Sequence, residues 1–113
     1  MDSRIKKWLM DILVSINEVH EFVGTKTDFA VYEKNKMMKR AVERELEIIG
    51  EAVNRIKKTN SAVELTFAEK IIGLRNKVAH EYDVIDDAII WDVVNLYLPG
   101  LKEEVEFYIN AAK

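Results

Sequence analysis

Apolar residues recur along this chain at three- and four-residue steps, and that rhythm predicts helices almost throughout. Ile5, Trp8, Leu9, Ile12, Leu13, Ile16, Val19 and Val23 form one stripe of an amphipathic helix, with Gly24 suited to the turn that stops it. A second helix is expected from an Asp28 N-cap, carrying Phe29, Tyr32, Met37, Met38, Val42, Leu46, Ile49, Val53 and Ile56 to near Asn60. At 1.5 Å per residue it would be about 45 Å long, more than the core of a chain this size needs, so a bend or overhang is expected. Gly50 inside it leaves room for another backbone to approach.

A connector at 59–66 follows, and Thr66 with Glu69 reads as a capping box for a third helix reaching about Tyr82. Asp86 or Asp87 caps the last helical region. Pro99-Gly100 interrupts that region, and a kink or break is expected there because proline lacks the amide donor and crowds the preceding turn. Spacing resumes with Leu101, Val105, Tyr108 and Ile109. No segment reads as a strand or an internal repeat. The pattern predicts an all-α antiparallel bundle of four to five helices, in a single domain over 1–113.

The third helix carries the anomaly that suggests chemistry. Stepping about 100° per residue from Ile71, its apolar arc holds Leu74, Val78 and Tyr82, and Arg75 falls about 40° round, inside that arc. A buried guanidinium without a partner costs several kcal/mol, so an acid, a second subunit or a bound phosphate must meet it. Glu47 and Glu51 on the long helix are the candidate acids. Asn76 and His80, four apart, are neighbours on another flank, while Arg75 and His80 lie about 140° apart on an ideal helix. Spacing alone therefore does not assemble them, and a salt-bridged arginine beside a solvated histidine remains a complete reading. The residue types nonetheless suit one reaction. Histidine exchanges a proton near neutrality, and arginine stabilises charge developing on a phosphoryl group.

Composition narrows the setting. The 113 residues include no cysteine, which removes disulfides and thiolate metal sites, and no His/Asp/Glu spacing points to a metal or other cofactor. No apolar run is long enough to span a membrane and none near the start fits a secretory signal, so a cytoplasmic location is expected. Net charge is −3, which weighs slightly against general nucleic-acid binding. The charge is uneven, however. Residues 1–60 carry 12 basic against 10 acidic side chains, and 61–113 carry 5 against 10. Basic residues gather at Lys34, Lys36, Lys39 and Arg40, and again at Arg55, Lys57 and Lys58. They read either as solvated helix faces or as a strip that contacts an RNA backbone. Trp8, Phe29, Phe67, Trp91, Tyr97, Phe107 and Tyr108 read as packing, and His20 as a solvated histidine.

The stretch Arg75-Asn76-Lys77-Val78-Ala79-His80-Glu81-Tyr82 resembles the Arg-x-x-x-x-His-x-Tyr signature of HepT toxins in the HEPN superfamily (higher eukaryotes and prokaryotes nucleotide-binding). The neighbouring Ile71-Ile72-Gly73-Leu74 and Asp83-Val84-Ile85-Asp86 are similar to the same family. So are Arg44 to Ala52, Trp91 and Leu98-Pro99-Gly100-Leu101. The resemblance implies a dimeric HEPN-like bundle in which the motifs of two subunits line a shared cleft. It implies that Arg75 and His80 catalyse metal-independent RNA cleavage, with Asn76 and Tyr82 lining the site. It also implies a toxin–antitoxin system whose antitoxin is a minimal nucleotidyltransferase of the MntA type, able to attach AMP to Tyr82. Added phosphate and bulk there would repel RNA. The expected substrate class is tRNA or mRNA, in single-stranded or loop regions. Two rivals stand beside this reading: a non-catalytic nucleotide-binding subunit that partners a nucleotidyltransferase, and a purely structural helical dimer.

Overall fold

The computed structural model describes residues 1–73 and 86–111, and among these every regular element is helical. Helix α1 spans Ser3–Val23. The Asp2 carboxylate accepts the Arg4 N–H at its start, and Gly24, at φ +71°, ends it by donating its N–H to the His20 carbonyl. Positive φ costs glycine nothing, which is why the stop falls there. The expected stripe becomes the buried face: Ile5, Leu9, Ile12, Ile16, Val19 and Val23 are all in the core. His20 is exposed, as expected.

The expected long second helix is two helices. Asp28 does cap the first, its carboxylate accepting the Val31 N–H, but α2 spans only Phe29–Lys34. Asn35 then leaves helical geometry, and its side-chain oxygen accepts the Met38 N–H as the N-cap of α3, Lys36–Thr59. Asparagine competes for backbone donors in this way, which favours caps over helix interiors. The break lets α2 fold back, where Phe29 and Tyr32 meet the Trp91 ring at centroid distances of 6.2 and 5.1 Å. Tyr32 is fully buried, and burial pushes its phenol pKa up. Met37, expected on the apolar face, is 82% exposed.

Helix α3 buries Val42, Leu46, Ile49, Val53 and Ile56 against α1 and the rest of the core. Each fully buried aliphatic side chain contributes roughly 1.5–3 kcal/mol. After the Asn60 turn, helical backbone resumes at 66–73, the described part of α4. Helix α5, Asp87–Asp92, begins at Asp86, whose carboxylate accepts the Ala88 and Ile89 N–H groups as the sequence predicts. No break falls at Pro99-Gly100, and helical backbone continues through both residues. The chain passes instead through a π-helical turn, Val93–Tyr97, into α6, Leu98–Ala111. The Leu98 N–H reaches back five residues to the Val93 carbonyl. This widened turn lies immediately upstream of Pro99, where the missing proline N–H leaves the ladder a donor short. Phe107, expected to pack, is 67% exposed and touches the edge of Tyr108. Among the described residues no helix is long and apolar enough to cross a membrane.

One polar group interrupts the core. Glu45 on α3 is 94% buried from solvent, being 6% exposed, and no donor among the described residues reaches its Oε2. Burial, reinforced by the Glu18 carboxyl facing it from α1, raises its pKa to about 7 from an ordinary 4.5, with Arg44 opposing weakly. The folded state therefore holds a proton that the unfolded state releases between those values. Stability should fall as pH rises from about 4.5 to about 7 and level off above. Urea midpoints across that range should show the slope in the wild type and lose it in Glu45→Gln, which should also be the more stable at pH 8. An identical slope in both proteins would place the titration elsewhere.

Candidate functional site

The residues singled out for chemistry, Arg75, Asn76, His80 and Tyr82, lie outside the described residues, as does the C-terminal half of the expected third helix. What the structure describes is how both ends of that segment are held.

At the upstream end, α4 starts against α6. Thr66 and Phe67 sit in its first turn, and their N–H groups donate to Oε2 and Oε1 of Glu104 at 3.0 and 2.9 Å. This replaces the expected Thr66–Glu69 capping box. Thr66 is inside the helix, and Glu69 instead pairs with Lys57 at 2.8 Å. A carboxylate suits this place twice over, since it satisfies two unpaired donors and complements the positive end of the helix. Four residues on, the Tyr108 hydroxyl accepts the Glu64 N–H at 3.0 Å. Four residues back, Gly100 receives the Phe67 ring, and a Cβ added there would lie 2.7 Å from two ring carbons. Gly100, Glu104 and Tyr108 thus present one face of α6 to residues 64–67. Tyr97 and Lys70 flank the same ring, at 6.4 Å between centroids and 5.6 Å from Nζ to centroid.

At the downstream end, Asp86 caps α5 and Asp87 forms a half-buried ion pair with Lys39 of α3 at 3.0 Å. The segment 74–85 therefore leaves one anchored helix and returns at another, with α3 bordering both.

Glu47 and Glu51, the candidate partners of Arg75, face an open cleft of about 430 Å³ between α3 and α4. Leu46, Gly50, Ile71 and Ile72 give it apolar lining, and Asn54 joins the two carboxylates on the polar side. Arg44 reaches Glu47 at 3.2 Å and Glu51 at 3.9 Å. Among the described residues, a Cβ added at Gly50 would meet the Ile72 side chain, at an ordinary 3.9 Å, and no backbone. Among the described residues no group of three or more His, Cys, Asp or Glu side chains could hold a metal ion.

Sequence reasoning missed Glu104 and Tyr108 as anchors. Their signal was present in the four-residue spacing of Gly100, Glu104 and Tyr108, but nothing local tells which distant amides they meet.

The model of the family described as "Ribonuclease HepT-like" matches residues 12–107. "Putative RNase MJ1380" of Methanocaldococcus jannaschii is 40% identical over 106 residues, covering 90% of this chain and 94% of that protein. "Putative RNase MJ0125" of the same organism is 35% identical, covering 94% and 91%. "Probable ribonuclease HepT" of Thermococcus cleftensis is 32% identical, covering 89% and 92%. A comparison with solved structures finds no match.

Gly100→Ala tests the α4–α6 anchor. Alanine favours the helix by about 1 kcal/mol over glycine, but the clash with Phe67 outweighs this, since overpacking costs about 1–3 kcal/mol. The variant should melt below the wild type. In a Phe67→Ala background the same change should raise the melting temperature, because only the propensity gain remains. A stabilising Gly100→Ala in the wild-type background would contradict the packing described.

Proposed function

Because the chain belongs to the HepT-like ribonuclease family, we propose that it is a metal-independent endoribonuclease and the toxin of a toxin–antitoxin pair. The observation that carries this reading is the family match over 12–107, which spans the Arg75-x-x-x-x-His80-x-Tyr82 motif. His80 takes the proton of a ribose 2′-hydroxyl, and the 2′-oxygen attacks the adjacent phosphorus. The P–O5′ bond breaks, and the leaving 5′-oxygen takes a proton from a His80 imidazolium, so the histidine serves as base and then as acid. The products are a 2′,3′-cyclic phosphate and a 5′-hydroxyl, so atoms and charge balance without a metal or cofactor. Arg75 offsets the charge that builds on the phosphoryl oxygens, with Asn76 and Tyr82 lining the site. Two copies supply the complete cleft, which would let Arg75 open into water rather than a dry core. A minimal nucleotidyltransferase silences the toxin, and AMP on the Tyr82 phenol blocks the cleft by charge and bulk.

Substitution of either motif residue tests this reading. Arg75→Ala and His80→Ala should each reduce cleavage of tRNA or mRNA by about 10²-fold or more while the protein melts as before. Expression of either variant should no longer arrest growth. Equal cleavage by all three proteins would remove the motif from the mechanism. No cleavage by wild type carrying a free Tyr82, shown by mass spectrometry, would favour a non-catalytic nucleotide-binding subunit, a reading with which the net charge of −3 agrees.

A further inference from the structure

The corner between α2 and α3 carries positive charge in an arrangement that helix stability disfavours. Lys34 ends α2, and Lys36 and Arg40 lie in the first turns of α3, all three exposed. None forms an ion pair among the described residues. The first turn of α3 contains no acidic residue. A helix N-terminus is already electropositive and favours aspartate or glutamate, so cations here cost stability and strengthen the local field. Glu33 is the one acid between residues 29 and 42. Met37, 82% exposed, stands among these cations, and Val31, 50% exposed, lies one turn before Lys34 in α2. Cations interleaved with bare apolar side chains suit a single strand, whose phosphates and unstacked bases both need contacts.

The corner is also tied to the motif segment. Lys39, in the same turn as Arg40, is pulled from the strip into its 3.0 Å ion pair with Asp87, two residues beyond the end of 74–85. The strip therefore begins where that segment re-enters the fold. Lys36 and Arg40 are four apart on one face of α3, about 6 Å along its axis.

We infer that Lys34, Lys36 and Arg40 form a track for the backbone of single-stranded RNA, with Met37 contacting base or ribose. The inference rests on the ribonuclease reading for its occupant, but its binding test does not require cleavage. Each cation that meets a phosphate releases counterion, and two contribute about 1.4 to the salt dependence, log K against log salt, for a single strand.

The test compares wild type, the Lys36→Glu/Arg40→Glu pair and the conservative Lys36→Arg/Arg40→Lys pair. Binding is read by fluorescence anisotropy with a 2′-O-methyl oligonucleotide of about 20 residues, which cannot be cleaved. Charge reversal should weaken binding about tenfold or more and flatten the salt dependence by about 1.4, while the conservative pair binds as wild type. The reversed pair should melt at or above the wild-type temperature, because its new acids complement the helix end, so lost binding cannot be ascribed to misfolding. On cleavable RNA, KM should rise with kcat kept. If wild type binds the oligonucleotide through the strip but cuts nothing, the track stands and the ribonuclease reading falls. Unchanged oligonucleotide affinity in the reversed pair would overturn the track and assign the strip to another partner, such as an acidic protein surface.

Discussion

The carboxylate of Glu104 holds the start of α4, the helix that precedes the motif segment in the chain, and the packing of α4 on α6 depends on that contact. A helix begins with amide donors that no turn of its own can satisfy. Here two of them are met by one side chain from 37 and 38 residues further along the chain, at 2.9 and 3.0 Å. Gly100 and Tyr108 extend the same face of α6 to the Phe67 ring and the Glu64 amide. One face of α6 thus fixes where α4 starts, and the Lys39–Asp87 pair fixes where the chain returns. Residues 74–85 span the two. A bundle of short helices needs such cross-links, because α2 and α5, at six residues each, are too short to persist alone.

Local rules were enough wherever a helix answers to its own sequence. The α1 stripe became the buried face almost residue for residue, Gly24 stopped it, and Asp28 and Asp86 capped as their side chains allow. The apolar spacing ran straight through Asn35 and so hid the break, which depends on one side-chain amide winning a backbone donor from the helix. Pro99 announced a disturbance, but only the folded chain shows it absorbed by a wider turn upstream. Glu104 was illegible for a different reason: its partners are distant in sequence, and periodicity says nothing about which faces meet. The motif itself was legible as a pattern of residue types, with no local rule to bring Arg75 and His80 together. The described residues place its borders.

Two features set this chain apart from one shaped for stability alone. Glu45 lies in the core beside Glu18, where an apolar residue would avoid the need to retain a proton. Cations sit at the head of α3, where acids would favour the helix. Departures of this kind concentrate where a protein has work to do. They also show why the net charge of −3 is a poor guide to partners: acidic residues dominate 61–113, while the α2–α3 corner is locally basic. On the proposed reading, an RNA strand would meet the local field rather than the sum.

We propose that RNA is cut by side chains alone, with the 2′-hydroxyl as nucleophile. The most direct measurement is the chemistry of the ends left when purified protein, with Tyr82 unmodified, meets tRNA or mRNA in EDTA. Fragments bearing 2′,3′-cyclic phosphates and 5′-hydroxyls are expected, formed at the same rate with and without the chelator. Fragments ending in 3′-hydroxyl and 5′-phosphate, or cleavage that stops in EDTA, would contradict it.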